Sequence, residues 1–240
     1  RLIADDVLVA NALFDELRLR GVDPGCEAME RQLAPGQPKP DCFDGPLDRH
    51  RIAVVSEWDT PYQRSLRRTL KRVLIERCAT QYAVQPCQAA LDAPWIVQFS
   101  YMRGVDGQVA GEAPPPNEQK HQGADSGPQE SPERADGNRQ FDYLRRLAER
   151  IARRDAELEA SGQSGIGAVA VLGSDPYDKL TILQALHEQL PGKIFVTTNL
   201  DARLLHPNEF KWARNLVVVS AFGLELHNDL QGDIPPLRDG

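Results

Sequence analysis

The sequence predicts an α/β fold, a Rossmann-like parallel sheet flanked by helices, on two observations. Four segments share one order of apolar strand, polar turn and amphipathic helix; they begin at Ile52–Asp59, Trp95–Tyr101, Val169–Asp175 and Lys193–Leu200. Each strand runs out into Ser, Asp, Thr or Asn. Alternating strands and helices imply parallel crossover units with right-handed connections. Small polar residues at the carboxyl ends of parallel strands mark the edge where ligands bind.

The elements follow in order along the chain. Asp5 and Asp6 suit a helix start; Val7, Ala10, Leu13, Phe14 and Leu17 then recur at helical spacing, and Gly21 supplies the stop. Residues 22–48 hold five prolines, three glycines and two cysteines, the composition of a structured loop. A strand over 52–55 leads into a helix from about Thr60, with Tyr62, Leu66, Thr69, Val73 and Leu74 on one face. The other face carries Arg64, Arg67, Arg68, Lys71, Arg72 and Arg77, either a solvated surface or a contact for an anion or acidic partner. Gly111–Gly137 is rich in Pro, Gly, Glu, Gln and Ser and has no Phe, Trp or Tyr. Such a stretch cannot bury enough apolar surface to offset chain entropy, so residues 104–139 predict a disordered insertion. Helical spacing resumes at Phe141, Leu144, Leu147 and Ile151 and runs to about Ala160, after which Ser161–Gly167 reads as a linker. A strand over 168–172, a helix with Leu180, Leu183, Leu186 and Leu190 in register, and strands over 194–197 and 216–220 complete the pattern.

Composition narrows the function classes. The 240 residues suffice for one large domain or two small ones. Hydrophobic content of 41% and charged content of 26% are ordinary for a globular protein. A net charge of -7 and a pI near 5.3 argue against a dedicated nucleic-acid or anionic-membrane binder, whose footprint is basic. No apolar run approaches the roughly 20 residues a bilayer span requires. The chain begins at Arg1 rather than Met, as expected of a processed or trimmed piece, and the full-length protein can carry a span elsewhere. Cys26 and Cys42 bracket one irregular segment, and Cys78 and Cys87 bracket another. Two short disulfide loops in an oxidising compartment fit this spacing; four unlinked cysteines in the cytoplasm are the alternative.

Familiar catalytic motifs are missing. Gly162, Gly165 and Gly167 form G-x-x-G-x-G but precede a strand, whereas a dinucleotide fingerprint needs the glycines between strand and helix. No phosphate-binding G-x-x-x-x-G-K-[ST] and no G-x-S-x-G nucleophile elbow occurs. His50, His121, His187, His206 and His227 fall at no metal-ligand spacing, so the residues call for neither metal nor cofactor. Carboxylates cluster at two strand ends, Glu57 with Asp59 and Asp175 with Asp178. They are suited to helix capping, to ligand contact, or to acid–base work with or without a hard cation. Thr197, Thr198, Asn199 and Asp201 offer hydroxyl, amide and carboxylate partners for a polar small molecule.

The run Arg51-Ile-Ala-Val-Val-Ser-Glu-Trp-Asp-Thr-Pro-Tyr-Gln-Arg64 resembles the opening of the second lobe of type I periplasmic binding proteins, among them the branched-chain amino-acid receptors. Their pattern is a strand, two or three polar or acidic residues, then Tyr-Gly opening a helix; the Gly is Gln63 here. Asp5–Gly21 resembles the last helix of the first lobe, Asp142–Ile151 a helix of the second, and Ala168–Asp178 with Ile194–Asp201 its next ligand-edge strands. The resemblance implies ligand contacts at Ser174, Asp175, Thr198 and Asn199, with Tyr62 and Asp59 near the hinge edge. Composition and resemblance together divide the chain into a hinge helix (1–21), a Cys/Pro-rich loop (22–48) and an α/β lobe (49–103 and 140–222) interrupted by the insertion (104–139), with a return segment (223–240); the loop and the insertion are not typical of the resembled family.

The expected function is therefore a non-catalytic, periplasmic or extracytoplasmic module that binds a small polar ligand or a protein partner. Its candidate ligand contacts are Ser56, Glu57, Asp59, Tyr62, Ser174, Asp175, Thr198, Asn199 and Asp201. Two alternatives stand beside it: an enzyme on a doubly wound sheet using Glu57, Asp59 or Asp175, and a degenerate scaffold that binds nothing at this edge.

Overall fold

The computed structural model describes residues 5–25, 49–58, 60–81, 95–104 and 132–221, with the backbone alone described at 78, 79, 81 and 132–139. Five strands form one sheet: β1 (Arg51–Glu57), β2 (Ile96–Tyr101), β3 (Ile166–Leu172), β4 (Ile194–Thr198) and β5 (Val217–Val219). Every pairing is parallel, in the order β2-β1-β3-β4-β5. Helices cover both faces: α1 (Asp6–Leu19), α2 (Pro61–Gln81), α3 (Pro132–Ala160) and α4 (Pro176–Gln189). The fold is thus α/β, an all-parallel sheet flanked by helices.

Strand periodicity decides which helix meets which face. Ile52, Val54, Ala168, Ala170, Leu172 and Val196 point to the layer of α1 and α2, where they meet Leu13, Phe14, Leu17, Leu66, Leu70 and Val73. Ala53, Val55, Val97, Phe99, Val169, Val171 and Phe195 point the other way, to Leu144, Leu147 and Ile151 of α3 and Ile182, Leu183 and Leu186 of α4. β1 and β3 are buried along their whole length, as a parallel strand covered on both faces must be. Local signals place the helix ends. Asp5 caps α1 through Leu8 N, 2.9 Å, and Gly21 at φ +82 closes it, with Val22 N bonded to Leu17 O.

Element bounds differ from the sequence pattern most at β1, β3 and α3. β1 reaches Glu57 because Ser56 and Glu57 continue the pairing opposite Ser100 and Tyr101, and backbone pairing is indifferent to side-chain polarity. β3 begins at Ile166, so Gly167 lies inside it; a Cβ there would stand 2.2 Å from Arg49 O, a close approach that only glycine permits. α3 begins at Pro132, ahead of Phe141, since proline fits a first helical position without any apolar spacing to announce it. The remainder of the proposed insertion, most of the loop 22–48, the return segment 223–240, Asp59, and the thiols of Cys26, Cys42, Cys78 and Cys87 lie outside the described residues.

The amino edge of the sheet is closed by a polar network. Asp155 accepts from Ile166 N at 2.6 Å and pairs with the Lys193 ammonium, which also donates to Ile166 O at 2.6 Å. Arg51, fully buried, donates to Gln163 Oε1 at 3.0 Å. The G-x-x-G-x-G glycines lie at this end, opposite the polar strand ends, which leaves the carboxyl edge as the place for a site.

Candidate functional site at the carboxyl edge

The sheet order reverses between β1 and β3, the position at which open parallel sheets form a ligand crevice. At this position the Glu57 carboxylate ties β1 to the turn that follows β3. Glu57, at the end of β1, has no exposed surface. Its Oε1 accepts from Ser174 N at 2.6 Å and Ser174 Oγ at 2.7 Å, and its Oε2 accepts from Thr60 Oγ1 at 3.0 Å. Hydrogen bonds to an ionised acceptor are the strong ones, and the Ser174 N–H also lies at the positive end of α4. Gly173 beside it leaves room for Tyr101, whose Oη would stand 2.1 Å from a Cβ at that position.

Asp175 caps α4, its Oδ1 accepting from Tyr177 N at 2.8 Å. Asp201 caps the 3₁₀ turn Ala202–Leu205 in the same manner, accepting from Arg203 N at 2.9 Å, and its other oxygen meets Arg203 Nη1 at 3.3 Å. Asp178, with no exposed surface, accepts from Gly104 N at 2.9 Å and ties α4 to the end of β2. Capping and clamping therefore consume the described carboxylates of both strand-end clusters.

Lys179 joins these groups. It is 3% exposed and donates to Thr198 O at 2.8 Å. Burial pushes its ammonium below the ordinary lysine range, opposed by the charges of Asp201, Glu57 and Asp175, which favour its protonated form. Lys179 did not figure among the sequence candidates, yet a signal was present. It shares the i, i+3, i+4, i+7 stripe of Ile182, Leu183 and Leu186, a stripe otherwise apolar and buried.

The remaining candidates divide by access. Ser174 and Asn199 are exposed. Asn199 adopts φ +62 and donates its N–H to Val219 O at 3.0 Å, so it is a left-handed turn residue as well as a surface amide. Ser56 and Thr198 are buried at 0% and 6%, and neither hydroxyl oxygen has a hydrogen-bond partner among the described residues. Gln63, standing where the resembled pattern has Gly, is likewise buried with its amide unpartnered. Tyr62 leans away from the group toward α1, bonding Asp6 Oδ1 at 3.3 Å; burial, then the Asp6 charge and hydrogen bond, raise its hydroxyl pKa. The structure thus brings together Glu57, Ser174, Asp175, Thr198 and Asp201 around Lys179, leaves Ser56 inside the adjoining layer, and keeps Tyr62 apart.

Among the described residues no group of three or more His, Cys, Asp or Glu is placed to hold a metal ion, and no helix is long and apolar enough to cross a membrane. Comparisons with protein families, with curated proteins and with solved structures find no match to this chain.

Proposed function

We propose that the chain is a ligand-binding or sensor module of the periplasmic-binding-protein type, taking a small polar ligand at the carboxyl edge without catalysis. The observation that carries this reading is the position of the polar group: it sits where the parallel sheet reverses order, between β1 and β3. The ligand-facing atoms are the exposed ones, Ser174 Oγ and the Asn199 amide, with Asp201 beside them and the Lys179 charge behind. The resemblance of Arg51–Arg64 to the second lobe of type I receptors supports the same edge.

Titration calorimetry with amino acids, sugars and nucleotides tests it, followed by Asn199→Gly on any ligand found. Glycine keeps the positive φ and removes the amide, so binding falls by roughly 1–3 kcal/mol while the fold is preserved. Asp175→Ala is a poorer test, since losing a helix cap costs about 1 kcal/mol of stability by itself. Absence of any ligand in the panel, or binding indifferent to Asn199→Gly, defeats the proposal. One observation favours the enzyme alternative: a buried lysine with lowered pKa among carboxylates is the kind of group catalysis employs. A turnover assay on the same ligand, with Lys179→Met as its control, separates the two.

A further inference from the structure

A second concave site lies on the flank of α4, beyond the carboxyl edge. Its volume is about 330 Å³, at the small end of the roughly 300–1,000 Å³ of ligand cavities. Tyr177, Leu180, Thr181 and Gln184 of α4 form one wall at i, i+3, i+4 and i+7, and Arg203, His206 and Glu209 of the 3₁₀ turns form the other. Leu180 supplies a buried apolar floor.

The polar groups differ in what they have left to offer. The Arg203 guanidinium lies 4.5 Å above the centre of the Tyr177 ring and pairs with Asp201, so its charge is already compensated and its position is fixed. Thr181 Oγ1 gives its proton to Tyr177 O at 2.9 Å, which turns its lone pairs outward. His206 Nδ1 accepts from Asn208 N at 3.3 Å, which assigns the ring proton to Nε2 as a donor. The half-buried Glu209 carboxylate has neither ion pair nor side-chain hydrogen bond among the described residues, and the Gln184 amide has none either. The uncompensated charge of the cavity is therefore negative, in a chain of net charge -7 whose field attracts cations.

We infer that this cavity binds a small organic ammonium ion bearing a neutral oxygen at its other end. The ammonium has three donors and meets three acceptors, the Glu209 carboxylate, Gln184 Oε1 and Thr181 Oγ1. The ligand oxygen accepts from the free N–H groups of Arg203 and from His206 Nε2–H. The methylene stem lies on Leu180. The inference is independent of the proposed edge site, since none of its acceptors belongs to that group.

Three isosteres of nearly equal length test it: 4-amino-1-butanol, 1,4-butanediol and 4-hydroxybutyrate, each titrated into the full chain at low ionic strength by NMR and calorimetry. The expected result is binding of the amino alcohol at least tenfold tighter than either other compound, with shifts at Thr181 and Gln184. Glu209→Gln, which keeps the shape and removes the charge, should weaken that binding at least tenfold without moving the melting temperature. Asn199→Gly should leave it unchanged, which separates this site from the edge. Preference for 4-hydroxybutyrate, indifference to Glu209→Gln, or no shift at the cavity at millimolar concentration would each overturn the inference.

Discussion

A methyl group at Gly173 tests whether the carboxyl edge is close-packed around Tyr101 and Glu57. Its Cβ would stand 2.1 Å from Tyr101 Oη, 3.3 Å from Glu57 Oε1 and 3.4 Å from Tyr101 Cζ. Backbone conformation is no obstacle, because Gly173 is not among the residues of positive φ. Tyr101 is 1% exposed, so its ring cannot swing into water without opening the layer beneath α3 and α4. Overpacking of this kind costs about 1–3 kcal/mol. In a domain of this size that amounts to about 2–4 °C of melting temperature per kcal/mol. The obstruction is one oxygen, and Tyr101→Phe removes it, leaving the ring carbon at ordinary contact distance. Alone, Tyr101→Phe loses a long hydrogen bond to Leu172 O at 3.4 Å, worth about 1 kcal/mol or less. The double variant should then be as stable as Gly173→Ala or more so, with a coupling of about 1–3 kcal/mol in the cycle. Urea unfolding of the four proteins measures it. Additive effects would show that Tyr101 and Gly173 are not in contact and that the edge is looser than described.

The other predictions concern the interior and the cysteines. Gly167→Ala should destabilise by as much as the collision at Gly173 or more, since the atom in the way is the Arg49 carbonyl and no rotamer change relieves it; thermal melting checks this. His187 stacks on Phe195 at 4.2 Å, and burial lowers its pKa from 6.5, so the unfolded chain binds the proton more readily than the folded one. Stability is then full above pH 6.5 and declines as pH falls through 6.5 toward the folded value; His187→Phe should flatten that slope, and an unchanged slope would assign it to other groups. Cys26 should be linked to Cys42 and Cys78 to Cys87, each bridge adding roughly 2–4 kcal/mol; non-reducing peptide mapping that finds four free thiols in protein from its native compartment would end the extracytoplasmic assignment as well.

The fold was legible because hydrophobic burial is local in sequence. Runs such as Val169–Leu172 and stripes such as Leu183 with Leu186 announce their own geometry, and parallel alternation fixes which end of every strand is polar. What was not legible depended on contacts between distant residues. That Glu57 would close on Ser174, 117 positions away, follows from β1 and β3 being neighbours, and strand order is a tertiary fact. Lys179 could have been found from its place on the α4 stripe, but a single lysine on an apolar face reads equally well as a side chain reaching for solvent. Gly167 read as linker because glycine marks turns far more often than close strand approaches. Strand-end position says nothing of access: Ser56 and Ser174 stand at ends of neighbouring strands, yet one is buried and the other exposed.

Access also bears on what the carboxylates at this edge can do. General acid–base work needs a carboxylate within reach of a substrate and free to exchange a proton. Glu57 has no exposed surface and both its oxygens are engaged, while Asp175 and Asp201 each hold a helical turn in place. A reaction through any of the three would first have to break a cap or the Glu57–Ser174 clamp, exposing a loop end that those bonds now fix. The proposed binding makes no such demand. On the proposed reading, Ser174 Oγ, held by Glu57, and Asn199, whose backbone is held by its turn, meet the ligand with part of their conformational freedom already spent. Low ordering cost is the property a recognition surface gains from preorganisation. On the proposed reading the carboxylates are the frame that sets those two polar groups, with the buried Lys179 as a counter-charge among three acids.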